Sequence, residues 1–268
     1  MKTVGLVGLG AIGAHVVDHW HDVDGEYCLK SVLARPAQVQ EQRRASLLGA
    51  VVYVERDAFL REPTDIVIEA AGHAAVRDLG PDLLRQGRTL YLLSVGITAD
   101  EAFITLLRDA AHAGGGRILI PAGALAGFDG VMALARHRQA KVHYTSRKPP
   151  LAWQGTPAEE VCDLLSVTEP TTIFEGSARE AAHCYPKNAN LAAAVALAGV
   201  GLDQTTITLI ADPQIQQNVG IVEAESDLGK LTVRVSGDAA HNNPKTSAIV
   251  GASILSALSN QASDIQFI

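Results

Sequence analysis

The sequence predicts an α/β fold: a Rossmann-type doubly wound parallel sheet, followed by a second α+β domain with an open mixed or antiparallel sheet. Three observations predict it. The turn Gly8-Leu9-Gly10-Ala11-Ile12-Gly13 stands between an apolar strand and a helical pattern. Short apolar runs then alternate with helix-like segments as far as Pro121, the mark of parallel strands joined by crossover helices. Beyond Pro121 the texture changes to alternating stretches rich in Val, Thr and Ile, with fewer helices between them.

In chain order, residues 3–8 read as the first strand and the helical pattern after the glycine turn runs to Trp20. Further strands are expected at 27–34, 51–54, 66–71, 89–94 and 117–120, with helices at 75–86 and 100–113 among the connections. The second half offers strands at 141–147, 171–175, 205–211, 221–225 and 231–236, and two Ala-rich helices at 177–184 and 188–200. Pro244 suggests the start of a last helix, 245–258. The expected division is a dinucleotide-binding domain over 1–124, a sheet domain over 125–242, and a C-terminal segment, 243–268, whose helix returns to the first domain.

The chain has 268 residues, with 22 Lys+Arg against 29 Asp+Glu and a formal charge of −7, which argues against nucleic acid as a partner. Hydrophobic residues at 47% and charged residues at 19% describe a packable core rather than disorder. Cys28, Cys162 and Cys184 are widely spaced, with no CxxC or CxxH, so neither a zinc site nor a disulfide framework is expected, and a reducing cytoplasm fits. No stretch reaches the roughly 18 uncharged apolar residues that a membrane span requires. The apolar opening carries four glycines, which weakens a reading as a secretory signal.

The three turn glycines have separate tasks in a dinucleotide fold: a tight turn, bare backbone for a pyrophosphate, and close approach of helix to strand. Gly8, Gly10, Ala11, Ile12 and Gly13 are therefore the primary cofactor residues, with the helix N-terminus offering free N–H groups to phosphate. An acidic residue ordinarily ends the second strand and takes the ribose hydroxyls; here the sequence is Val32-Leu33-Ala34-Arg35-Pro36. Arg35 suits adenine or a 2′-phosphate, so NAD or NADP is expected, with NADP slightly favoured. Small residues in Glu69-Ala70-Ala71-Gly72-His73 suit close approach of a nicotinamide ring to backbone. Lys187, Asn188 and Asn190 open a helix, where side-chain amides either cap free N–H groups or hold a carboxamide.

Four blocks, Glu69-Ala70-Ala71-Gly72-His73, Ser94-Val95-Gly96, Ile120-Pro121-Ala122-Gly123-Ala124 and Tyr185-Pro186-Lys187-Asn188-Ala189-Asn190, give the chain a more specific character. Together with Ser146-Arg147-Lys148-Pro149-Pro150, Phe174-Glu175-Gly176-Ser177-Ala178-Arg179-Glu180, Ala211-Asp212-Pro213 and Asn243-Pro244-Lys245-Thr246-Ser247, they resemble the L-aspartate dehydrogenase family over nearly the whole chain. The resemblance implies reversible NAD(P)-dependent oxidative deamination of L-aspartate to oxaloacetate and ammonia through iminosuccinate. It also implies a second domain that carries the substrate site and a dimer interface, hence a homodimer acting on a small dicarboxylic amino acid. Ala124 and Asn190 fall where the family contacts its cofactor; Ala71, Gly72, His73, Ser94 and Asn188 complete the expected cofactor set.

A dicarboxylate meeting an acidic protein needs local positive charge. Arg147, Lys148, Lys187 and Lys245 are the candidates; Arg147 and Lys148 sit in a run after a strand that solvation alone explains, so Lys187 and Lys245, with Thr246 beside it, are the favoured substrate residues, Lys187 also counting as catalytic. The family pattern after Ala-Asp-Pro continues to Asn-x-His, and that histidine is the proposed acid/base. Here the stretch reads Gln217-Asn218-Val219-Gly220-Ile221, so Gly220 stands at the catalytic position. A weakened or redirected aspartate dehydrogenase, admitting larger or less polar amines into the vacated space, is the leading expectation. The alternatives are a non-catalytic NAD(P)-binding regulator and a reductase of a related imine. His183 and His241 read as surface histidines rather than substitutes.

Overall fold

The computed structural model describes residues 1–23, 25–240 and 243–268, and their side chains apart from those of Val39, Gln40 and residues 243–246. The chain forms two compact units, Met1–Ser94 with Asp100–Pro121 and Val250–Ile268, and Val95–Ala99 with Ala122–Ile249. Among the described residues no helix is long and apolar enough to cross a membrane.

The first unit alternates β1 (Lys2–Val7), α1 (Ala11–Asp18), β2 (Tyr27–Leu33), α2 (Val39–Leu47), β3 (Val51–Tyr53), α3 (Arg56–Arg61), β4 (Ile66–Glu69), α4 (His73–Arg85), β5 (Thr89–Leu92), α5 (Glu101–Gly114) and β6 (Arg117–Leu119). Its six strands pair in the order β3-β2-β1-β4-β5-β6, all parallel. Val4, Leu6, Ile68 and Leu92 are buried because helices cover both faces of such a sheet, which is why these strands read as apolar runs rather than alternations. Val76, Leu79, Leu83 and Leu84 line the buried stripe of α4 at helical spacing. Asp100 caps α5 by accepting the Phe103 N–H, and Gly115, left-handed at φ 73°, ends it. The strand order reverses between β1 and β4, and ligands of such sheets lie beyond the strand C-termini at that reversal.

The second unit contains α6 (Phe128–Ala135), β7 (Lys141–Lys148), α7 (Ala158–Val161), β8 (Thr171–Ser177), α8 (Ala178–Cys184), α9 (Asn190–Ala198), β9 (Thr206–Ala211), β10 (Asn218–Ser226) and β11 (Gly229–Gly237). Its five-stranded sheet has the order β11-β10-β7-β9-β8, antiparallel except for the β7/β9 pair. Strand alternation sends Val142, Tyr144, Ser146 and Lys148 of β7 to one buried face, beside Ile207, Leu209 and Ala211 of β9. A capping box between Ser177 and Glu180 starts α8. Ala192 to Ala196 are all buried in α9, where short side chains let the helix lie close to its neighbours.

Two expected helices begin elsewhere. The one placed at 188–200 starts at Asn190, after a turn in which the Asn188 N–H donates to the Tyr185 carbonyl. The one placed at 245–258 starts only at Ile249, because residues around Pro244 form β13 (Asn243–Ser247), paired with β12 (Ala239–Ala240). Proline lacks a donor and suits a short two-stranded edge as well as a first helical turn, so the residue alone does not separate the cases. The last helix, α10 (Ile249–Ala262), buries Ile254, Leu255 and Leu258 in the core of the first unit, and the Leu258 carbonyl accepts from the Tyr27 hydroxyl at 3.0 Å.

A Cβ at Gly13 would fall 2.0 Å from the Gly8 carbonyl oxygen, a backbone atom that cannot swing aside. Gly13→Ala is expected to destabilise the protein by about 1–3 kcal/mol through this overpacking. Denaturant unfolding measures it, and an unchanged midpoint contradicts the tight turn.

Candidate functional site

In the first unit the site grows from the end of β1. The Gly8 N–H donates to the Leu33 carbonyl at 2.8 Å, and its φ of 95° turns the chain away from the sheet. A Cβ on Gly8 would meet the Ala70 carbonyl oxygen at 2.8 Å, so both conformation and space demand glycine. Gly10 is different: a Cβ there would have nothing within 4 Å. Its bareness answers no protein neighbour and leaves the backbone open to a ligand. Gly10 is also the N-cap of α1 and provides no side-chain cap, so first-turn N–H groups at the positive end of the helix face outward unspent. Gly10 is thus exposed, Gly8, Ala11 and Ile12 are partly buried, and Gly13 is buried against Gly8.

Arg35 lies exposed just beyond β2, the strand next to β1. Its N–H donates to the Gln38 side-chain oxygen at 3.1 Å and its carbonyl accepts from the Gln42 amide at 2.7 Å, which fixes the backbone and leaves the guanidinium without an ion pair among the described residues.

At the ends of β4 and β5 the structure shows a residue that motif reading passed over. Glu69 is 2% exposed, and its carboxylate accepts from the N–H groups of Ala71 at 2.8 Å, Gly72 at 2.7 Å and Ser94 at 3.0 Å, and from the Ser94 hydroxyl at 2.9 Å. Four donors take the place of lost water and tie the two strand ends together. The available signal was an acidic residue closing the apolar strand Ile-Val-Ile-Glu. Gly72 is the N-cap of α4, with φ 103°, and His73 is the first helical residue. The His73 Nε2 is buried and has no partner among the described residues.

In the second unit, the Asn190 Oδ1 accepts from the Gly96 N–H at 2.9 Å, which pins Val95–Ala99 against the start of α9. Gly123, at φ 65°, turns the chain next to Leu191, and Ala124 follows it into the interior. Asn188 is 8% exposed, and neither its amide oxygen nor its amide nitrogen has a partner among the described residues. It does not cap α9, whose N-cap is Ala189. An orphaned amide is costly in a folded interior, and a bound group with one donor and one acceptor removes that cost.

The cations divide unexpectedly. Lys187 is exposed, and the side chains of Lys245 and Thr246, like His241 as a whole, lie outside the described residues. Arg147 and Lys148, read above as solvated, are held in the protein instead. The Arg147 Nε donates to the fully buried Asp212 carboxylate at 3.0 Å, with a second, shorter contact from Nη2. Lys148 is 8% exposed, and its Nζ stands 5.3 Å from the centre of the buried Trp153 ring. An alternating strand turns every second residue of a charged run inward, which a reading of the run as surface does not resolve.

Gly220 lies in β10 between Ser146 of β7 and Val235 of β11, with ordinary strand geometry. A Cβ there would meet Leu125 Cδ2 at 2.7 Å and the Tyr144 ring and hydroxyl at 3.4 Å. The place of a histidine side chain is therefore occupied by Leu125 rather than empty. Burial pushes the Tyr144 phenol up to about 12, against the opposing effect of a hydrogen bond with Ser146, so the phenol stays protonated at ordinary pH and is no general base.

A parallel sheet of this order, with a bare glycine turn at the strand reversal, defines a dinucleotide-binding dehydrogenase domain. The comparisons with known proteins agree. Residues 8–121 match the homoserine dehydrogenase NAD-binding domain model, and residues 129–261 match the aspartate dehydrogenase C-terminal model. The chain is 40% identical over 263 residues to an L-aspartate dehydrogenase of Ruegeria pomeroyi, covering 98% of this chain and 94% of that protein. It is 39% identical to an L-aspartate dehydrogenase of Pseudomonas aeruginosa, covering 98% of each. The crystal structure of an aspartate dehydrogenase from Thermotoga maritima shares the fold over 100% of both chains, with a TM-score of 0.75 at 24% identity. The chain belongs to the L-aspartate dehydrogenase family and is a nicotinamide-nucleotide-dependent dehydrogenase.

Glu69→Gln keeps shape but aims an amide N–H₂ at donors. It is expected to cost about 1–3 kcal/mol of stability and to weaken cofactor binding. Paired unfolding and NADH titrations measure both, and wild-type values in the two assays contradict the role given to Glu69.

Proposed function

We propose that this protein oxidises the CH–NH₂ group of L-aspartate with NAD or NADP, giving oxaloacetate and ammonia reversibly through iminosuccinate, with a slow water-addition step. The observation that carries this reading is the likeness to L-aspartate dehydrogenases along almost the entire chain. Homodimeric assembly and a cytoplasmic setting belong to the same reading.

The residues fit the cofactor. The open approach over Gly10 and the uncapped start of α1 suit a pyrophosphate held by Gly8, Gly10, Ala11, Ile12 and Gly13. Arg35 meets the adenosine end, Ala71, Gly72, His73 and Ser94 border the nicotinamide, and Ala124, Asn188 and Asn190 serve its carboxamide. The unpaired amide of Asn188 has the donor and acceptor a carboxamide requires. When bound, the nicotinamide ring accepts a hydride.

In this reaction the C–H bond at C2 of aspartate breaks and its electron pair leaves with the hydrogen. The amine then loses a proton as the C=N bond forms. Lys187, Lys245 and Thr246 are assigned to the substrate; the exposure of Lys187 leaves its ammonium available to a carboxylate. Water next adds to C2, and ammonia leaves as the carbonyl forms. Gly220 offers no group to take the proton from that water, and Tyr144 retains its own. Positioning supports hydride removal without such a group, whereas the hydration step depends on solvent.

Gly220→His is expected to raise steady-state turnover on aspartate by at least about tenfold, within the range for a positioned general base. The strand conformation accepts a side chain, and the contact to be relieved is the flexible end of Leu125. Cofactor affinity and melting temperature are measured alongside. A folded variant that binds NAD(P)H normally and gains nothing at any pH overturns aspartate oxidation as the activity. Leu125 packed over position 220 favours one second reading, a cofactor-binding regulator without turnover, which predicts no reduction of cofactor by either protein.

Arg35→Asp is expected to shift preference from NADP toward NAD, because it removes a phosphate partner and adds an acceptor for the ribose hydroxyls. The ratio of kcat/KM values for the two cofactors measures this. An unchanged ratio means that Arg35 does not meet the cofactor.

A further inference from the structure

The first unit has a second concavity at the opposite end of its sheet, where β4 and β5 begin. This cleft of about 630 Å³ is lined by Leu60 and Arg61 of α3, Thr64 ahead of β4, and Gln86 and Arg88 between α4 and β5. Arg88 is 5% exposed. Its Nη1 donates to the Thr64 hydroxyl at 3.0 Å and its Nη2 to the Leu60 carbonyl at 2.6 Å, both neutral acceptors. Among the described residues neither Arg88 nor Arg61 forms an ion pair. Arg56, also on α3, shows the contrast, since it pairs with Asp57, Asp78 and Asp82.

In a chain of formal charge −7, two arginines beside one cleft stand out for forming no ion pair among the described residues. The Arg88 guanidinium donates only to neutral acceptors, and the Glu62 carboxylate that attracts it from farther off forms its ion pair with Lys30, so the compensation a buried charge normally has is incomplete. Carboxylates nearby are engaged elsewhere: Glu62 with Lys30 at 3.0 Å, and Asp57, the one acidic residue lining the cleft, with Arg56 at 2.7 Å. Burial also pulls the Arg88 guanidinium below its ordinary range, against the attraction of Glu62, and a bound anion adds to that attraction and stabilises the charged form.

We infer that this cleft is an anion site for a phosphate-bearing small molecule, separate from the glycine turn, with Arg61 making the direct contact and Arg88 supplying the field from the wall. Arg61 lies at the exposed rim, where its planar fork suits two phosphate oxygens, and Gln86 adds amide donors beside it. A low-dielectric wall holding a fixed charge strengthens attraction to an anion at its mouth. The glycine turn follows the C-terminal end of β1 in the parallel sheet, whereas this cleft borders the N-terminal ends of β4 and β5, so cofactor and anion do not compete. The site does not depend on the identity of the amino-acid substrate.

The test titrates inorganic phosphate into full-length protein saturated with NADH, which keeps phosphate from the glycine turn, by calorimetry at constant ionic strength. Arg61→Gln and Arg43→Gln are compared with the parent chain; Arg43 is an exposed arginine of α2 outside the cleft, so its loss changes net charge equally. Saturable binding at one site per chain is expected, weakened at least about tenfold by Arg61→Gln and unchanged by Arg43→Gln. No saturable binding, equal affinity in all three proteins, or equal weakening by both substitutions overturns the site. None of these variants needs Arg88 altered, so a failure to fold does not obscure the result.

Discussion

The carboxylate of Glu69 ends β4 inside the protein, where three backbone N–H groups and one hydroxyl take the place of water. Hydrogen bonds to a charged acceptor are worth about 1.5–3 kcal/mol each, and these four act on the short segments that turn the chain out of β4 and β5. The Ala71 and Gly72 backbone is thereby fixed where α4 begins, and Ser94 where β5 ends. On the other side of β4, Gly8 and Gly13 meet neighbouring backbone so closely that a methyl group fits at neither. The C-terminal edge of the parallel sheet is thus held by backbone contacts and hydrogen bonds, while Gly10 and Gly72 leave bare backbone open. A preorganised rim suits a bound dinucleotide, because ordering the site costs little at the moment of binding.

The second unit shows a different economy. Asn190 commits its oxygen to the Gly96 backbone and so fixes Val95–Ala99, whereas Asn188, two residues earlier, keeps both polar atoms buried and unspent. A buried unpaired amide is costly unless a ligand completes it, which is the role proposed for Asn188. Position 220 is closed instead. Leu125 and Tyr144 close over the glycine, and the phenol that borders it holds its proton. On the proposed function, a cofactor site of this kind together with a glycine at position 220 implies an enzyme limited by proton transfer to and from water rather than by assembly of its complex.

Much of this was legible in the sequence because it is local. The glycine turn, the apolar parallel strands and the alternating strands of the second sheet each carry a short-range pattern, and the long blocks around Lys187-Asn188 and Pro121 identified the family. What was not legible depends on partners distant in sequence. Glu69 reads as an ordinary strand end until Ser94 arrives beside it. Lys148 reads as surface until the strand pleat turns it over Trp153. Pro244 reads as a helix start until pairing with Ala239–Ala240 makes a strand. The excursion of Val95–Ala99 onto α9 has no composition of its own; it rests on packing and on hydrogen bonds from distant partners, Asn190 to the Gly96 N–H and Arg179 to the Ala99 carbonyl.

On the proposed function, a dehydrogenase without a base at position 220 still removes hydride from aspartate. The most direct measurement follows absorbance of reduced cofactor after the unaltered protein is mixed with NAD or NADP and L-aspartate at alkaline pH. A slow increase that saturates with aspartate and is suppressed by a competing dicarboxylate is the predicted result. Cofactor bound at one per chain, with no reduced cofactor formed at any aspartate concentration, would contradict it.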